Sequence, residues 1–160
     1  MYRNILLPTD GVKFCEHAIE SGIDLAKALK AKVTGVYITP KLTPFEILEV
    51  YHPEILWGPG DAEKAQQAMS HVEDLHRNLA DKALAVIEKK ATEAGVECEI
   101  VYLEGESPAE GILKVAEDKG SDLIFIASHS KVGVAGALFG TVTTKVLAHS
   151  KIPVLVKRCE

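Results

Sequence analysis

The chain has 160 residues, 47% hydrophobic and 26% charged, values that fit one globular domain over 1–160 and argue against disorder and against a membrane protein. Eighteen basic against 23 acidic residues give a formal net charge of −5 with no basic block, which disfavours a nucleic-acid-binding role.

The opening MYRNILLPTD holds too short an apolar segment, broken early by Pro-Thr-Asp, to read as a signal peptide. Asn4 to Pro8 instead predicts a buried strand, in a protein expected to stay in the cytoplasm. Thr9-Asp10-Gly11 turns into an amphipathic helix through about Leu29, with Ala18, Ile19, Ile23, Leu25, Ala26 and Leu29 as its apolar stripe. Val33 to Ile38 is the second strand, stopped by Thr39-Pro40, and a strand, helix and strand in close succession make a right-handed parallel crossover.

From Lys41 to Gly60, prolines and glycines punctuate apolar pieces around Phe45, Ile47, Tyr51 and Trp57. An insertion capping the core is the first reading of this segment; a short helix over a site or against a partner is the second. Asp61 to Ala94 is helical, with Leu75, Leu79, Ala83, Val86 and Ile87 as its buried face and Gly95 as its cap. Val96 to Leu103 is the third strand. Ser107 and Pro108 then start a helix through Lys119, as N-cap and first helical residue. Leu123 to Ala127 is a continuous apolar run typical of a central strand. The loop after it carries Gly133, Gly136 and Gly140, where backbone turns tightly or approaches a ligand. Gly140 and Thr141 open the next helix, whose free N–H groups suit a phosphate, and Pro153 to Lys157 is the last strand. The alternation predicts an α/β fold, a parallel sheet with helices on both faces.

Cys15, Cys98 and Cys159 are odd in number and widely spaced, without a CxxC pair; free thiols are expected, with neither a disulfide nor a zinc site. His71 and His76 are five apart on a helix, which separates them, whereas metal ligands want three or four. GxxxxGK[ST] and a GxGxxG after the first strand are both missing, which disfavours a P-loop enzyme and a dinucleotide oxidoreductase. Ser128, His129 and Ser130 are contiguous, and adjacency on a loop does not make a catalytic triad, so no catalytic residue is assigned.

The last third, GESPAEGILKVAEDKGSDLIFIASHS onwards, and LLPTDG near the start resemble the universal stress protein family. Its nucleotide-binding members carry Gly, two residues, Gly, nine residues, then Gly-Ser or Gly-Thr. Gly140-Thr141 keeps the end of that pattern, while Ala127 and Ser130 replace its first two glycines. The resemblance implies a five-stranded sheet of order 3-2-1-4-5, with a ligand crevice where the order reverses between strands one and four.

Pro8, Thr9 and Asp10 would meet Ala127, Ser128, Ser130, Lys131, Gly133, Gly140, Thr141 and Val142 there. The occupant implied is ATP, ADP or AMP, with or without Mg2+. Asp10 either caps the following helix or accepts from a ribose and helps hold the magnesium. Adenine would rest near Ile38, with Thr39 beside it. Lys131 stands only as a candidate, since a loop lysine is more often solvated, and His129 more often packs such a loop onto the sheet than touches a ligand.

The implied function is a stress-response binding or sensing module. The alternatives are a nucleotide-independent interaction protein of the same fold and a slow ATP hydrolase. IPVLVK, an edge strand in that order, predicts a homodimer paired along Ile152 to Lys157.

Overall fold

The computed structural model describes residues 1–58, 62–129 and 139–159. At its centre lies β1 (Asn4–Pro8), buried along its whole length because a central parallel strand is covered on both faces. β2 (Lys32–Thr39) and β4 (Leu123–Ser128) flank it, and β3 (Cys98–Glu104) and β5 (Val154–Arg158) form the edges of a parallel sheet. The order is β3-β2-β1-β4-β5, as expected, so the crossing reverses between β1 and β4. The connections are α1 (Glu16–Leu29) after β1, then α2 (Pro44–Tyr51), α3 (Pro53–Leu56) and α4 (Ala62–Ala94) between β2 and β3. α5 (Pro108–Asp118) and α6 (Thr141–His149) precede β4 and β5.

Alternation along the strands divides the core in two. Ile5, Leu7, Val33, Leu123 and Phe125 pack against Ile19 and Ile23 of α1 and Ile87 and Ala91 of α4. Leu6, Val36, Ile124 and Ile126 pack on the other face against Ile112 and Val115 of α5 and Val146 of α6. α1 can lie close to the sheet because residue 22 is glycine: a Cβ there would stand 2.8 Å from Leu7 Cδ1. At the amino end of the strands a polar knot ties three segments. Asp122 accepts from the amides of Arg3 and Asn4 at 2.8 and 3.0 Å, Asn4 Nδ2 donates to the Lys119 carbonyl, and Thr34 Oγ1 donates to Asn4 Oδ1.

Three expectations change. Cys15 and Cys159 are joined in a disulfide with Cα atoms 5.1 Å apart, and only Cys98 is a free thiol; 144 residues of sequence separation conceal a proximity that the sheet creates by bringing the end of β5 beside the start of α1. On α4 the buried stripe is Ala68, Val72, Ala80, Ala83, Leu84, Ile87 and Ala91, whereas Leu75 and Leu79 are 40% and 48% exposed. At 33 residues α4 is about 50 Å long by helix rise and packs on α1 and α2 as well as on β2 and β3, so several neighbours set its buried stripe. Ser107 is the α5 N-cap, yet its hydroxyl donates to the Glu110 carboxylate at 2.7 Å and caps no backbone amide.

Residues 41–58 form a capped helical insertion. Thr43 and Glu46 make a reciprocal capping box at the start of α2, and Ile47 is buried. Among the described residues the insertion leaves Phe45, Val50 and Trp57 exposed.

Candidate functional site

Two chain segments leave the carboxyl ends of β1 and β4 in opposite directions and open a crevice of about 520 Å³ between them. On the β1 side, the Thr9 amide continues the ladder by donating to the Val36 carbonyl at 2.9 Å. The next residues then turn on their own side chains: the Gly11 amide donates to Thr9 Oγ1 and the Val12 amide to Asp10 Oδ1, both at 3.1 Å. Gly11 takes φ +77, the left-handed conformation this turn needs. A 3-10 turn, Lys13–Cys15, follows and leads into α1.

On the β4 side, buried Ser128 receives the Gly140 amide on its hydroxyl at 3.4 Å. Gly140 is the N-cap of α6 and has no side chain with which to cap it, so the amides of Thr141 and Val142 in the first turn have no intrahelical acceptor. The Thr144 amide, donating to the Gly140 carbonyl at 3.0 Å, is the first to close the helix. A Cβ on Gly140 would stand 3.0 Å from the His129 carbonyl, so the start of α6 packs tightly on the end of β4 at this point.

Pro8, Thr9, Asp10, Ile38, Ala127, Gly140, Thr141 and Val142, all expected at the site, line this one crevice. Ser128 does not line it; it lies beneath and holds Gly140. Ser130, Lys131 and Gly133 lie outside the described residues. Sequence reasoning missed the floor, formed by Ile19, Val36, Ile112 and Ile126, because these belong to helices and strands whose apolar pattern reads as core. It also missed Tyr37 and Cys15 at the walls.

The crossing contact is His129 Nε2 to Asp10 Oδ2 at 2.6 Å, which pairs the loop histidine with the crevice acid instead of merely packing it onto the sheet. Position 129 beside a glycine-poor turn gave no signal of that partner, 119 residues away. Burial raises the Tyr37 hydroxyl above the ordinary tyrosine range, with the Asp10 charge and Tyr102 adding to it, so Tyr37 stays a neutral donor at the wall.

The arrangement therefore has an apolar floor for a flat ring, one carboxylate, and a helix terminus with unused amide donors. Asp10 is the one carboxylate among the described lining residues, and the described residues contain no cluster of three metal-ligating side chains. A Mg2+ ion at this position would be held by Asp10 together with phosphate oxygens and water.

The sequence matches the Universal stress protein family over residues 1–158. A universal stress protein of Methanocaldococcus jannaschii is 30% identical over 156 residues, covering 98% of this chain and 82% of that one. Among solved structures, a universal stress protein family member from Burkholderia pseudomallei aligns at TM-score 0.71 with 23% identity, over 98% of this chain and 96% of its own. A universal stress protein in complex with cAMP aligns at 0.65 with 19% identity, over 99% and 98%. One from Archaeoglobus fulgidus in complex with dAMP aligns at 0.58 with 17% identity, over 97% of each chain. At these identities the structural likeness shows a shared fold.

Proposed function

Since the chain belongs to the universal stress protein family, we propose that its crevice binds an adenine nucleotide, ATP or its ADP and AMP relatives, as a stress-response binding or sensing module in the cytoplasm. The observation that carries this reading is the uncapped start of α6 facing the Asp10 turn across an apolar floor. Adenine lies against Ile38 and the floor, the ribose hydroxyls donate to Asp10, and the phosphates take the amides of Thr141 and Val142 with the Thr141 hydroxyl. Mg2+, when present, neutralises phosphate charge beside Asp10. The relatives solved with cAMP and dAMP support an adenine ligand.

The test is mass spectrometry of small molecules released from denatured protein, with calorimetry of ATP binding to the parent and to Gly140→Asp. That variant sets a carboxylate and its Cβ against the phosphate position, and affinity is expected to fall by at least about tenfold, the effect of one lost charge-assisted contact. Equal affinity in a folded variant removes the α6 anchor from the proposal.

The reading includes a homodimer through β5. The Ile124 amide donates to the Pro153 carbonyl and the Cys159 amide to the Ser128 carbonyl, so odd-numbered residues of β5 face β4. By the alternation of a parallel ladder, the backbone groups of Val154, Val156 and Arg158 face outward, ready for a second copy. A nucleotide-independent interaction protein is the second reading, favoured by exposed Phe45, Val50 and Trp57 on the insertion.

A further inference from the structure

The disulfide stands where the two walls of the crevice come together. Cys15 lines the crevice, is 5% exposed, and ends the 3-10 turn that follows Asp10. Cys159 lies just beyond β5, half-buried, and its amide donates to the Ser128 carbonyl at 2.9 Å. Ser128 in turn receives the Gly140 amide on its hydroxyl. One covalent bond thus connects the Asp10 side of the crevice, through Cys159 and Ser128, to the N-cap of α6.

Among the described residues the Asp10 side has few other long-range hydrogen bonds: the Thr9 amide donates to the Val36 carbonyl, the amides of Gly11, Val12 and Cys15 bond to acceptors within three residues, and the Asp10 carboxylate reaches across to His129.

We propose that the Cys15–Cys159 bond is a redox-operated clasp on the crevice: oxidised, it holds the 9–15 wall against the α6 anchor in the geometry that binds ligand; reduced, it releases that wall. The proposal rests on the nucleotide reading for its ligand and on the disulfide's place for its mechanism. In an environment that keeps most thiols reduced, a disulfide of this kind is a reversible one.

The chemistry is thiol–disulfide exchange with a dithiol reductant. A reductant thiolate attacks Sγ of Cys159, the more exposed residue of the pair, the S–S bond breaks, and Cys15 leaves as a thiolate that takes up a proton. Cys15 stands as the N-cap of α1, where the positive end of the helix dipole favours that leaving thiolate. The second reductant thiol then displaces Cys159, so two electrons and two protons pass to the chain and the reductant ends as a disulfide. Glutathione disulfide reverses the change through the same steps. Cys98 does not compete, because burial raises its thiol above the ordinary range and it sits on β3, at the opposite edge of the sheet.

The experiment uses the full chain carrying Cys98→Ser, oxidised with glutathione disulfide or reduced with dithiothreitol, and the Cys15→Ser/Cys159→Ser variant on the same background. Peptide mapping without reductant checks the bond, calorimetry measures ATP affinity, and hydrogen exchange follows 9–15 and 139–143. We expect reduction to weaken ATP binding about tenfold, within the range of ordinary coupling between sites. Exchange should quicken in both segments, and the double variant should match the reduced protein. No Cys15–Cys159 peptide after oxidation overturns the clasp, as does equal ATP affinity in the two forms. If neither form binds ATP, the nucleotide reading fails, and exchange alone judges the clasp: faster on reduction supports it, unchanged overturns it.

Discussion

Thr39 closes β2 with a hydroxyl that is buried and has no hydrogen-bond partner among the described residues. Burying an unpaired hydroxyl costs about 1–3 kcal/mol, and valine has nearly the same shape and suits a strand. Thr39→Val is therefore expected to stabilise the fold by about 1 kcal/mol in denaturant melts. An unchanged or lower midpoint would mean that the hydroxyl has a partner in solution.

Ala127 was legible as a departure from the family's glycine pattern, but its consequence was not. Lys30 is the one non-glycine residue with positive φ among those described, so Ala127 sits in ordinary strand backbone at the end of β4, where a Cβ is unstrained. Ala127→Gly is thus expected to preserve or slightly tighten ATP affinity by adding room. A marked loss in calorimetry, with stability unchanged, would show that the methyl packs against the ligand. The Asp10–His129 pair lay beyond reach for a different reason: no local pattern encodes a contact across two loops.

At the scale of elements, the strands and their order were legible because continuous apolar runs of strand length, bounded by glycine and proline, leave few alternatives. α4 was legible in extent but not in orientation. Leucines at positions 75 and 79 carry the strongest local signal of a buried face, yet the face that α4 turns inward is set by its neighbours α1, α2, β2 and β3 and runs through Ala68, Val72, Ala80, Ala83, Leu84, Ile87 and Ala91.

β5 gives the prediction at this scale. Leu155 is exposed while Val154 and Val156 pack on the core, so charge placed on the valines would damage the subunit itself. Val156→Pro instead removes an outward amide that β4 does not use, at modest cost to an edge strand. Sedimentation is expected to show a dimeric parent and a folded, monomeric Val156→Pro; a monomeric parent, or a variant that stays dimeric, rules out this edge as the interface.

For the whole molecule, the disulfide closes a loop over 144 residues of sequence separation, nearly the entire chain. Restricting the unfolded chain to that extent is worth about 2–5 kcal/mol. Cys15→Ser/Cys159→Ser is expected to lose about that much, with Tm falling by roughly 5–15 °C for a chain of this size. A loss below about 1 kcal/mol would show that the unfolded chain is little restricted by the bond. Thiol counting could not foresee the pair, because spacing reports proximity only when the fold that folds it back is already known.

The polar knot at the opposite end of the sheet has its own consequence. Asn4, Thr34, Lys119 and Asp122 bind three segments together below the strands, whereas above them the segments diverge into separate loops. The sheet is thereby bound like a book along its spine, while at the fore-edge a covalent staple, the Cys15–Cys159 disulfide, and the Asp10–His129 pair hold chosen pages together. The strand registration is thus fixed at the spine, and a change of loop sequence at the fore-edge leaves it untouched.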